Sequence, residues 1–157
     1  MAFLGALAST AIVLFMGGGR NSSTLRLILA GLAAERRSDE DTEALKGLLE
    51  KMTNATSDKA FVDADVAWHS RMSEASGNLI LRDVHRSIQA LLNAWIARAI
   101  SSAGETETSL NEHIPIMEAI EARDPEAAKR AMAAHMASAE GRLRVALEQD
   151  DEVHRKV

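Results

Sequence analysis

Between Leu25 and Gln149, apolar residues return every three or four positions, interrupted only by short polar breaks. This periodicity constrains the fold more than any other feature, because a 3.6-residue repeat turns one helix face toward a core, whereas a half-buried strand needs strict alternation. No strand-like alternation, internal repeat or low-complexity block is visible. Two prolines, nine glycines, no tyrosine and 46% hydrophobic residues favour helices further. At 157 residues the chain is long enough for one substantial core and too short for two full-sized domains. The expected fold is all-α, an antiparallel bundle of about six helices.

The breaks mark the helix limits. LRLILAGLAAERR reads as a first helix ending near Arg37, and Ser38 with Asp41 three positions on forms a capping box opening a second, to about Met52. Asn54 to Ser57 interrupt the pattern. A third helix runs from Asp58 to Ala75 and stops at Ser76-Gly77. Asn78 opens a long fourth helix whose stripe is Leu81, Val84, Ile88, Leu91, Leu92, Trp95 and Ala99. Ser101 to Thr108 reads as a loop, Ser109 or Asn111 caps a fifth helix to Ala122, and Asp124 before Pro125 starts a last helix to Gln149. The tail, residues 150–157, is charged and expected to fray.

The first 19 residues, MAFLGALASTAIVLFMGGG, carry no charged side chain. The run lacks the Lys or Arg that precedes the apolar core of a signal peptide, and to Met16 it is short for a spanning helix of about 20 residues. Residues 1–24 are read as a separate apolar segment, loosely ordered or foreign to the domain at 25–149, with an atypical membrane or export segment as the competing reading. The net charge of -5 argues against nucleic-acid binding by this chain alone, and 3% aromatic residues leave few surfaces for stacking bases. The absence of cysteine excludes disulfides and thiolate metal sites. It agrees with a reducing cytoplasm.

Projected on helices, several polar residues fall within apolar stripes. On the third, Phe61, Trp68, Met72 and Ala75 define a face with Asp65 near its middle and His69 toward its edge. His113 lies among Leu110, Met117 and Ile120, and His135 among Ala128, Ala131, Met132 and Ala139. One inward histidine is ordinarily a hydrogen-bonded core residue. Four such groups are harder to bury, since an uncompensated carboxylate costs several kcal/mol and an unpaired imidazole nitrogen about 1 to 3 kcal/mol. A single divalent cation addresses all four. Nitrogen and oxygen donors suit Zn first, with Ni, Mn, Co or Fe as alternatives, and not calcium. His85 reads as a partly exposed surface histidine beside Arg82 and Gln89, and His154 has no assigned role.

The segments LAAERRSDED (32–41), DVAWH (65–69), EASGN (74–78) and EHIPIMEAIEARDPEAAKRAMAAHM (112–136) together resemble the FCD domain, the C-terminal effector domain of FadR-type GntR transcription regulators. The resemblance spans residues 25 to about 147. In that family D-x3-H, a further His, and another His 22 residues later mark a metal site, and these map to Asp65, His69, His113 and His135. The resemblance implies an ion at the floor of a cavity, with a small carboxylate effector such as a hydroxy or sugar acid above it, and a dimer. The family's winged helix-turn-helix has no counterpart in the 24 residues ahead of the match, so direct DNA binding is not expected. Where family members often have an effector-facing Arg and a Glu four positions on, this chain has Ser22 and Arg26. Arg26 and Arg98, with Arg20, remain effector-binding candidates, each by default a solvated charge.

The expectation is a metal-dependent organic-acid sensor that is not an enzyme and acts as a homodimer or paired with an intact regulator. A metallohydrolase on the same Asp/His3 site needs a non-ligand general base, and the projections place Glu112 and Glu118 away from the stripe. A metal-free bundle with an internal Asp–His ion pair is the third reading.

Overall fold

The computed structural model describes residues 23–89 and 106–155, with the side chains of 143 and 146–155 undescribed. Six helical segments follow one another: α1 (23–36), α2 (Asp39–Thr53), α3 (Asp58–Ala75), α4 (79–89), α5 (Thr106–Glu121) and α6 (Pro125–Arg155). There is no strand among the described residues, so the fold is the all-α antiparallel bundle expected. No described helix is long and apolar enough to cross a membrane.

The ends of the helices follow from local chemistry. Ser38 Oγ accepts from the Asp41 amide at 3.1 Å while Asp41 accepts from the Ser38 amide at 2.8 Å, closing the capping box. Ser57 and Asp124 cap α3 and α6 in the same way, through the amides of Ala60 and Ala127. The end of α5 is a Schellman turn, in which Asp124 N–H reaches Ala119 O and Arg123 N–H reaches Ile120 O. Arg123 takes the left-handed position, φ 56°, that glycine usually occupies. Arg37, arriving from the end of α1, donates to the last carbonyls of α5, Glu121 at 2.7 Å and Ile120 at 3.4 Å. Gly77, φ 64°, ends α3 where the sequence places a stop.

Two hairpins, α2–α3 and α5–α6, meet along α2 and α5. Their core joins Leu45 and Met52 of α2 with Phe61, Trp68 and Met72 of α3, Ile116 and Ile120 of α5, and Ala128 and Met132 of α6. The small residues Ala30, Ala33 and Ala34 of α1 are buried and let that helix lie close to its neighbours. At Gly31 a Cβ would come within 2.5 Å of Lys129 Cε, so glycine lets the lysine stem of α6 cross α1. Ion pairs stitch the edges, with Arg71 to Asp41 at 2.7 Å and Lys46 to Glu121 at 2.6 Å.

Some boundaries differ from those expected. α5 begins at Thr106, within the stretch read as a loop, and α6 continues through the charged tail to Arg155 instead of fraying after Gln149. Leu91, Leu92, Trp95, Ala99 and Arg98 of the long fourth helix, along with Arg20 and Ser22, lie outside the described residues. Within α4, Leu81 and Ile88 of the expected stripe pack partly buried against the core, but Val84 is exposed, as are Leu79 and Ile80, and His85 and Gln89 also turn inward.

Candidate metal centre

The α3 face carrying Trp68 also carries Asp65 and His69, one turn apart, and buries all three. α5 adds His113 and α6 adds His135, and each of the four polar residues is at most 5% exposed. Their donor atoms converge. His69 Nε2 lies 3.3 Å from His113 Nε2 and 3.4 Å from His135 Nε2, and Asp65 Oδ1 lies 3.2 Å from His113 Nε2 and 4.0 Å from His69 Nε2. The three histidines form a group whose ligand atoms all lie within 4.8 Å of one another.

The other ring nitrogens explain why the Nε2 atoms face inward. His113 Nδ1–H donates to the Ser109 carbonyl at 2.7 Å, one turn back on α5, and His135 Nδ1–H donates to Glu112 Oε2 at 2.9 Å. In singly protonated rings these assignments leave the lone pairs of His113 and His135 on Nε2, facing His69 and the Asp65 carboxylate, while His69 Nδ1 has no hydrogen-bond partner among the described residues. A cation could satisfy such a group of acceptors at once. With zinc–nitrogen bonds of about 2.1 Å, the edge of a ligand tetrahedron is about 3.4 Å. The two separations from His69 Nε2 match that edge, so the three histidines could hold one transition ion, with Asp65 Oδ1 3.2 Å from His113 Nε2 and 4.0 Å from His69 Nε2.

Packing and electrostatics hold the arrangement. The Trp68 ring meets His69 and His113 edge-on, with centroids 5.3 and 4.9 Å away. Burial pushes the His69 imidazolium well below its ordinary pKa, helped by Arg26 and the neighbouring histidines. His135 is also lowered, with burial outweighing the attraction of Glu112. Burial pushes the Asp65 carboxyl up, but contact with a protonated His113 and the charges of His135 and Arg26 bring it below the ordinary value. A neutral His69 is the protonation state a metal ligand requires.

Glu112 corrects the sequence reading, which turned it away from the site. It accepts from His135 and is clamped by Arg142 through two bonds of 2.8 and 2.9 Å. Burial raises its pKa, but the bonds from His135 and Arg142 hold it well below the carboxylate range. His85 is a second correction, being 2% exposed and not a surface residue. Burial, with the charge of Arg26, pushes its pKa down to about 4. Arg26 is not a solvated charge either. Its Nη1 lies 3.5 Å from Met136 Sδ, and burial lowers its pKa against the pull of Asp65. The residue as a whole is half-buried, yet Nη2 is out of solvent contact.

Several buried polar atoms here have no hydrogen-bond partner among the described residues: His69 Nδ1, Arg26 Nη2, both nitrogens of His85, and Gln89 Oε1. Each would cost about 1–3 kcal/mol if left so. Sequence projection found the four inward ligand types but missed His85, Gln89 and Glu112. The available signal was the i, i+4 pair His85/Gln89 on α4, a polar stripe competing with the apolar one.

Among known proteins, the chain is similar to the HTH-type transcriptional repressor NanR of Enterobacter sp. (strain 638), 35% identical over 133 residues covering 78% of this chain and 50% of the repressor. NanR of Cronobacter sakazakii is 34% identical over the same shares. The chain thus spans about half the length of the curated relatives it matches. Among solved structures, E. coli McbR/YncC shares the fold, with a TM-score of 0.69 at 18% identity over 83% of this chain and 62% of that one. Residues 23–138 match the FCD domain, and the chain belongs to that family of effector domains from GntR-type transcription regulators.

Proposed function

We propose that this domain, residues 25–149, is the metal-dependent sensor of a small organic acid in a FadR-type regulator. The observation that carries the reading is the convergence of three Nε2 atoms and Asp65 Oδ1 at spacings a transition ion would span. Asp65, His69, His113 and His135 would hold the ion, Zn first, with Ni, Mn, Co or Fe as alternatives. When bound, the ion supplies a Lewis acid that anchors a carboxylate. The protein's part is orientation: Ser109 and Glu112 fix the imidazole tautomers, and Trp68 excludes water from one side of the cluster. In a full regulator, effector binding here would bias the arrangement of two subunits in the cytoplasm, as a homodimer or with an intact partner.

Hydrolysis has no support from the site. Among the described residues, the carboxylate beside the cluster that is not a proposed ligand, Glu112, is committed to His135 and Arg142 and held well below the range of a general base.

Metal analysis of purified protein, with thermal melts before and after a strong chelator, tests the proposal. About one equivalent of a transition metal is expected. The melting point should fall on chelation and in Asp65→Ala and His135→Ala, since an ion at about 1,000 times its dissociation constant contributes about 4 kcal/mol. Metal-free protein whose melting ignores both zinc and chelator would refute it.

A further inference from the structure

Beside the proposed ligands lies a second group of polar residues that the ion does not use. Arg26 of α1 reaches Met136, next to His135, and its charge acts on Asp65, His69 and His85. On α4, His85 and Gln89 stand one turn apart and both are buried. Gln89 Nε2 donates to Val66 O at 3.2 Å, which docks its amide against the α3 turn joining Asp65 to His69. Two helices, α1 and α4, thus bring a cation, an imidazole and an amide close to the cluster.

Their unpartnered atoms are complementary in kind. Arg26 Nη2 offers a charged donor, neutral His85 offers one N–H and one lone pair, and Gln89 Oε1 offers an acceptor. Buried polar groups in a native domain are normally satisfied. The bonding pattern asks for an anionic oxygen at Arg26 and a hydroxyl, able to donate and accept at once, at His85 and Gln89. A monocarboxylate whose acid group sits on the ion leaves Arg26 unanswered.

We infer that Arg26, His85 and Gln89 form a second recognition point, and that the effector class is a hydroxylated dicarboxylate, one carboxylate on the ion and the other on Arg26. This rests on the sensor reading above. Arg26 sets specificity by charge, while His85 and Gln89 orient the hydroxyl.

L-Lactate and L-malate make a matched pair of probes, because malate is lactate with a carboxylate on its methyl carbon. Calorimetric titration of each into zinc-loaded protein, with zinc content verified afterwards, separates the two readings. Malate is expected to bind at least about tenfold tighter than lactate, the worth of one charge-assisted hydrogen bond. In Arg26→Gln the preference should collapse to within about threefold while lactate affinity holds. Gln89→Glu, which sets a carboxylate beside the same point, should weaken malate more than lactate and serves where Arg26→Gln does not fold. Lactate binding with no preference for malate, or a preference indifferent to both substitutions, overturns the second recognition point alone. Binding of neither acid overturns it together with the sensor reading.

Discussion

Glu112→Gln is the sharpest probe of how the site is built, because it alters no proposed ligand and almost no volume. Glu112 accepts one bond from His135 Nδ1 at 2.9 Å and two from Arg142, and its side chain is 18% exposed against 4% for His135. A carboxylate there makes the His135 ring electron-rich and keeps its proton on Nδ1. A neutral amide still reaches His135 but loses the charge, and its own N–H donors face the guanidinium. Loss of such an outer partner typically weakens metal binding about 10- to 100-fold, equivalent to about 1.4 to 2.8 kcal/mol. Zinc titrated into metal-free protein against a chromogenic chelator reads this directly, with Glu118→Gln on the exposed face of α5 as the control expected to change nothing. An intact Glu112→Gln domain that binds zinc within about threefold of the original would refute the reasoning, since His135 would then need no carboxylate to hold its tautomer.

Two further outcomes follow from buried groups. His85 has a folded pKa of about 4 against an ordinary 6.5, so on acidification the unfolded chain takes up the proton first and stability declines as pH falls from about 6.5 toward 4. In metal-free protein, urea melts at pH 7 and pH 5 should show His85→Gln losing about 2 kcal/mol less than the original; equal losses would mean His85 is not held neutral. Trp68 is fully buried against two imidazoles, so Trp68→Ala should cost about 3–5 kcal/mol in a urea melt and weaken zinc binding as well. A loss under about 1 kcal/mol would contradict the packing described.

Helix class, number and most boundaries were legible because they depend on local signals, such as the Ser38/Asp41 box and the Asp124-Pro125 start. Asp65, His69, His113 and His135 were legible because each lies in its own helix's apolar stripe, which one helical projection suffices to show. Glu112 was not legible, since what turns it toward the site is Arg142, 30 residues away on another helix. Nor was His85, because α4 exposes Leu79, Ile80 and Val84 and buries its polar pair beside Leu81 and Ile88, so apolar residues alone do not define its inner face. Arg26 was read as solvated for the same reason: its setting comes from α3, α4 and α6 together.

The four converging side chains are divided between the hairpins, Asp65 and His69 on α2–α3, His113 and His135 on α5–α6, with 44 residues separating His69 from His113. An ion held by both sides would therefore act as a clasp that closes only after each hairpin has formed and that leaves only when they part. Exchange would run at the rate of that partial opening and not at the rate of a surface ligand coming and going. A domain so clasped would keep the ion that was abundant when it folded, and would answer to changing acid concentrations far faster than to changing metal.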